Sequence, residues 1–335
     1  MIKNIFTILA TMLIIACGSN EGKKKSNDYM KPSSIGRINH VIIVVEDNIW
    51  KGQAGHELRK IIKKPLKGLP QPEPQFDISV IPSDAFAKMF KNSRNLLFLQ
   101  LSDHEVFKSV RNKYAQSQTI LEVKAPTVQQ LVALIEEKSE EIVSTFTHGD
   151  LTSIQEDVLE KKYSKRIEAL SKIGIQINIP NKYKMVMDTL GSFMWMRSHI
   201  AGGIAAGDQT NNIIVYEAPL FDETETILSQ MIRNRDSIGK MFIRGNDPDK
   251  MFMITEAARI PSMKMTKIGG KKAYETRGTW EVFGAFSAGP FLNYSIVDEK
   301  NKRLIVIEGF NYAPSVNKRD FVFELEAILK TVKIN

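Results

Sequence analysis

The chain of 335 residues holds one cysteine, Cys17, at the exit of a short apolar run, Ile5 to Ala16. A lone cysteine excludes intrachain disulfides and cysteine-based zinc sites. Whatever folds downstream must therefore rest on an apolar core alone. With 43 % hydrophobic and 25 % charged residues, a globular core of that kind is within reach at this length.

The apolar run is 12 residues, against about 20 for a helix that spans a bilayer. With Lys3 before it and a small residue at its exit, it reads as an export leader. Ile14-Ile15-Ala16-Cys17 resembles the bacterial lipobox, two aliphatics and a small residue before the modified cysteine. That resemblance implies a diacylglycerol on the Cys17 thiol, cleavage before it and acylation (palmitate) of the new amine. One acyl chain holds a membrane only marginally, and two or more hold it stably. Gly18 to Asp28 contains no apolar residue and reads as a disordered tether. Its three lysines, Lys23 to Lys25, favour anionic headgroups. Residue 18 is Gly rather than the retaining Asp, and no acidic cluster follows Cys17. The expected address is therefore the periplasmic side of the outer membrane.

The net charge is +8, and loss of the leader with its one basic residue, Lys3, and no acid leaves +7. That balance suits anionic envelope polymers or lipids. Nucleic acid is not an expected partner, because the lysines are interspersed with Glu and Asp. No cofactor or metal is expected. The five histidines, His40, His56, His104, His148 and His199, have none of the helical metal-binding spacings, and neither a nucleophile elbow nor a phosphate loop is written.

Val41 to Val45 reads as a buried strand. Leu66 to Gln75, with Pro70, Pro72 and Pro74, reads as a stiff exposed connector. Thr127 with Gln130, and Asp222 with Glu225, read as helix caps. Apolar positions at three-four spacing follow at Val128 to Phe146, Leu228 to Phe242 and Phe321 to Val332. Thr152 with Gln155 opens a further charged helix, read as a bridge. Ala125-Pro126, Ala218-Pro219 and Ala313-Pro314 punctuate strands at nearly even intervals, as duplicated modules would. The expected fold class is α+β: duplicated ferredoxin-like (split βαβ) modules, antiparallel sheets with helices on one face. The other face is the expected binding surface. The expected division is a leader over 1–16, a tether over 17–34, a first module over 35–150, a bridging helix over 151–174 and second module(s) over 175–335.

Pro32 to Gly36, Trp50-Lys51-Gly52, Arg277 to Trp280, Ala288 to Phe291 and Lys318-Arg319-Asp320 together resemble an uncharacterised lipoprotein family of Bacteroidota, a domain of unknown function. The resemblance spans the mature chain, with Ala288 where the family has a second glycine. It implies a lipid-anchored envelope protein and no particular reaction.

The candidate ligand-binding residues are Arg277, Trp280, Pro290 and Phe291, which combine a fixed charge, aromatics and a constrained turn. Lys318 and Arg319 join them. Positive charge near a helix start opposes the dipole, which points to an anionic partner. The expected role is non-catalytic binding or structure. The alternatives are a hydrolase or transferase near His199 and the Gly202 to Asp208 loop, and an assembly factor for another envelope protein.

Overall fold

His40–Val45 forms the first strand, β1, with Val41, Ile43, Val44 and Val45 all sealed from solvent. The computed structural model describes residues 31–189, 193–201 and 207–335. Cys17, the leader and all but the end of the tether lie outside the described residues. After β1 come α1 (Asp47–Lys51), α2 (Gln53–Ile62), β2 (Asp77–Ile81), β3 (Asn95–Leu101), β4 (Val106–Arg111), β5 (Thr119–Ala125), α3 (Val128–Glu137) and α4 (Ser139–Glu160). The strands lie in the order β2-β1-β3-β5-β4. Neighbours among the first four run parallel, and only β4 runs antiparallel.

This is not the antiparallel split βαβ sheet expected from the sequence. The α1–α2 excursion carries the chain back to start β2 beside β1 in the same direction, which is what a long crossover does. Leu58 and Ile62 of α2, Leu131 and Ile135 of α3, and Ile142 and Phe146 of α4 close one face of the sheet. The expected cap at Thr127 is present: its hydroxyl accepts from the Gln130 amide at 3.2 Å. The single long helix read after it is two helices, because the chain leaves helical geometry at Lys138 (φ −94°, ψ 14°). Thr152 and Gln155 do not open a helix; they lie inside α4.

The second half begins with α5 (Glu168–Ile173), then β6 (Ile175–Gln176), β7 (Lys184–Asp188), β8 (Phe193–Ala201) and β9 (Asp208–Pro219). It continues with α6 (Ile227–Phe242), β10 (Phe252–Thr255), β11 (Ser262–Ile268), β12 (Lys271–Phe283), β13 (Ala288–Asp298), β14 (Arg303–Tyr312), α7 (Arg319–Leu329) and β15 (Lys333–Ile334). The antiparallel order is β10-β12-β13-β14-β9-β8-β7, with β11 on the first half of β12. Asp222 does not cap α6. Thr226 does, accepting from the Ser229 amide at 3.2 Å, while Asp222 holds the Thr224 amide in a turn.

Among the described residues, helices cover both faces of this sheet, so this second sheet lacks the open binding face expected from the sequence. Leu325, Ile328 and Leu329 of α7 meet Leu292, Ile305 and Ile307 on one side. Ile238 and Phe242 of α6 approach Phe193, Val306 and Phe310 on the other. Apolar residues at both parities of β14 require two covers. On the α6 side an ion pair is buried completely. The Arg235 guanidinium donates to both Glu308 oxygens at 3.0 and 3.1 Å and lies 4.0 Å from the Phe291 ring centre. Burial pushes the Glu308 carboxyl up, against the pull of Arg235 and Asn293. A mostly parallel sheet and an antiparallel one are not copies of one module; the Ala-Pro pairs mark strand ends in two differently wound sheets.

Two devices join the halves. Helix α4 contributes Ile142 and Phe146 to the first core and Val158 to the second. Between them Leu151 packs with Phe323 and Ala327 of α7, and Gln155 donates to the Ala327 carbonyl at 3.0 Å. The second device is the proline-rich segment 65–74, which is a docked loop rather than an exposed connector. It closes through the Leu66 amide on the Glu73 carbonyl at 2.9 Å. Leu69 packs against the second core, and Arg259 donates to the Pro70 carbonyl at 2.8 Å. Gly68 sits at φ +82°, where a Cβ would come within 2.6 Å of the Arg277 Cβ. Only glycine combines that backbone with that approach.

Candidate functional site

The loop 65–74 and α4 border a cavity of about 780 Å³ between the halves. The first half contributes Lys60 and Ile61 from the end of α2, Lys64 just beyond it, Leu66 and Lys67 from the loop, and Ser139, Val143, Ser144 and Thr147 from α4. The second contributes Met263 and Lys264 from β11, Glu275 and Arg277 from β12, and Phe323, Glu326 and Lys330 from α7. Arg319 also reaches the wall. Seven lysines and arginines face three carboxylates, the third being Glu140.

The acids of the second half are already engaged. Arg277 Nε donates to Glu275 at 2.8 Å and Nη2 to Glu326 at 2.7 Å. Lys330 reaches the other Glu326 oxygen at 2.6 Å, and Lys264 lies 3.3 Å from Glu275. Burial alone would raise the Glu326 carboxyl, but the charges and hydrogen bonds of Arg277 and Lys330 outweigh it and bring it down to about 2. Burial likewise works against the Arg277 charge, and Glu326 and Glu275 overcome it. Arg277 Nη1 is buried without a hydrogen-bond partner. The Lys64 and Lys67 side chains are exposed, and among the described residues no carboxylate pairs with them.

Of the residues expected to bind, the structure brings Arg277 and Arg319 to the cavity and leaves the others elsewhere. Arg277 and Trp280 are three positions apart on one strand, which puts them on opposite faces of the sheet. Arg277 faces α7. Trp280 lies in the core beneath α6, its indole donating to the Asn311 carbonyl at 3.2 Å. Phe291 lies in that same core, and Pro290 is buried opposite Thr279. These three are packing residues. The Arg319 guanidinium finds its anionic partners within the chain, and the Lys318 ammonium donates to the Val316 carbonyl at 2.8 Å. Both Glu73 oxygens cap α7, accepting from the Lys318 amide at 2.7 Å and the Arg319 amide at 2.9 Å. The Arg319 side chain pairs with Asp320 at 2.8 Å and Asp77 at 3.0 Å. Burial opposes its charge, but those two carboxylates hold it charged.

His199 is exposed on β8 opposite Thr210. Residues 202–206 of the adjacent glycine-rich stretch lie outside the described residues. Among the described residues no group of three His, Cys, Asp or Glu is placed to hold a metal, and no helix is long and apolar enough to cross a membrane.

The sequence reading missed Lys64, Lys67, Met263 and Phe323. For the two lysines the one visible signal was the run Lys63-Lys64-Pro65-Leu66-Lys67, which reads as a solvated charge run until the loop is seen to dock.

A family model described as "Domain of unknown function (DUF4837)" matches residues 160–331. A second, "Domain of unknown function (DUF8532)", matches residues 34–159. No curated protein matches the chain. Among solved structures, LpqN of Mycobacterium tuberculosis, described as involved in cell envelope biogenesis, aligns at 10 % identity. The alignment covers 48 % of this chain and 83 % of LpqN, with a TM-score of 0.29. The Ran-binding protein Mog1p of Saccharomyces cerevisiae aligns at 9 % identity over 52 % of this chain and 96 % of its own, with a TM-score of 0.32. Likenesses of this size carry no argument.

Proposed function

This chain belongs to the DUF4837 family, and we propose that it is a cell-envelope protein, anchored by lipid on Cys17, that binds an envelope component rather than catalysing a reaction. The address is the outer membrane, facing the periplasm, in bacteria of the Bacteroidota type. The lipobox-like Ile14 to Cys17 and the tether after it support that address. The observation that carries the binding role is the 780 Å³ cavity lined by both halves, in the size range of clefts that hold one small molecule.

Two measurements test the reading. Mass spectrometry of the native protein should find a diacylglyceryl thioether on Cys17 and no leader; a free thiol on an intact leader would overturn the address. A photo-crosslinking residue placed at Ser144, in the cavity, should capture an envelope component in intact cells. The same residue at Met89, which is 71 % exposed and lies outside the cavity, should not. Equal capture at both positions would remove the cavity as the binding site.

A further inference from the structure

We infer that the ligand of the inter-domain cavity is an amphipathic anion, a phosphate or carboxylate head on an apolar chain. This rests on reading the cavity as a binding site. It adds the chemistry of the occupant.

The charge balance comes first. Two of the three lining carboxylates, Glu275 and Glu326, are consumed by Arg277, Lys264 and Lys330. The cations left over are on the first half: Lys64 and Lys67, whereas Lys60, one turn earlier on α2, is paired with Glu57 at 3.2 Å. The hydroxyls of Ser139 and Ser144 come from the opening turns of α4 on the same half. Arg277 Nη1 adds a buried donor with nothing to receive it. A neutral occupant would strip water from these cations and return no counter-charge, which is costly. A phosphate or carboxylate offers the oxygens and the counter-charge that Lys64, Lys67 and Arg277 Nη1 lack.

The apolar part of the wall argues against a bare inorganic anion. Ile61, Leu66, Val143, Met263 and Phe323 line the same cavity from both halves. A hydrated ion would leave them wet, whereas an alkyl chain would dry them. Phe323 itself belongs to the seam with Leu151 and Ala327, so the apolar wall continues into the contact between the halves. An occupant resting there touches β11, α4 and α7 together.

The test follows the Met263 methyl group, a resonance inside the cavity, by nuclear magnetic resonance of ¹³C-methyl-methionine protein, with Met263→Leu for assignment. The chain used is the mature one with Cys17→Ser. The probes are dodecyl phosphate, inorganic phosphate and neutral octyl glucoside, each below its micelle concentration. Dodecyl phosphate is expected to shift Met263 in a saturable way, with the other two at least about tenfold weaker. Lys64→Glu with Lys67→Glu, both exposed substitutions, should weaken dodecyl phosphate about tenfold or more and leave the melting temperature unchanged. Equal binding of octyl glucoside, or no loss in the double variant, would overturn the anionic head while the cavity stands as a site. Equal binding of inorganic phosphate would overturn the apolar chain. If no probe moves Met263 but a lipid extract of the native envelope does, the occupant class is wrong and the site stands. If nothing moves it, both readings fall.

Discussion

Glu73→Ala should destabilise the chain by about 3 kcal/mol and separate the unfolding of its two halves. The Glu73 carboxylate is buried at 5 % exposure and accepts from two backbone amides at the start of α7. Charge-assisted bonds of this kind contribute about 1.5–3 kcal/mol each. A negative group at a helix start adds about 0.3–1 kcal/mol from the dipole. Removal leaves the Lys318 and Arg319 amides buried without acceptors, and relaxation with entering water recovers part of the loss. The remainder is the estimate above. The halves stay linked through α4, so the effect falls on docking rather than on either core. Trp50 reports on the first half; Trp195 and Trp280 report on the second. Two reporter proteins, one keeping only Trp50 and one lacking it, let urea unfolding be followed in each half. In the parent both transitions should coincide. In Glu73→Ala both midpoints should fall and part from one another. A variant within about 0.5 kcal/mol of the parent, with coincident transitions, would refute the idea that this carboxylate locks the loop to α7.

Three further outcomes follow from the geometry. Arg235→Ala should cost about 3–5 kcal/mol in urea unfolding by stranding the Glu308 charge, while Arg235→Met with Glu308→Leu should cost far less; equal losses would count against that account. Gly68→Ala forces a Cβ to within 2.6 Å of Arg277 at a φ of +82°, so its melting temperature should fall, and an unchanged melt would show that the loop is not docked. Asp150, held by the Asn39 amide at 2.8 Å and by Asn95, has its carboxyl raised to about 6 by burial, against those hydrogen bonds and the nearby arginines. Between about pH 4 and 6 the folded state then keeps a proton that the unfolded state has released. Stability contributed by this group is therefore highest at low pH and falls by about 3 kcal/mol as pH rises through that window. Asp150→Asn should flatten this part of the stability profile, and an unchanged profile would show that another group is responsible.

Local features were the legible ones. The buried run at Val41 to Val45, the Thr127 cap and the apolar stripe Leu325, Ile328 and Leu329 are each written within a few residues, and each appears in the structure. Strand direction is not written locally. An apolar run such as Val41 to Val45 satisfies a parallel or an antiparallel neighbour equally, so the first sheet was misread. The number of covers over the second sheet was also hidden. Ile305 and Ile307 point one way, Leu304 and Val306 the other, and only the sheet's position between α6 and α7 shows that both sets are buried. Arg277 and Trp280 looked like one site because they are close in sequence, but strand parity separates them. The cavity depends on Lys64, Met263 and Phe323 meeting across more than half the chain. No local pattern encodes that meeting. Glu73 gave no signal at all, because a lone acid among prolines looks like solvent-facing loop until its helix is found.

Helix α4 runs as one rod through territory that two separate family models divide at its final residue. A gene fragment ending or starting at that division would inherit an unfinished interior: the downstream piece would lack Val158, and the upstream piece would expose Leu151 and Val158 to water. Such a beam makes the two parts poor candidates for shuffling onto other neighbours. They are expected to travel through evolution as one unit, under selection for the joint they share.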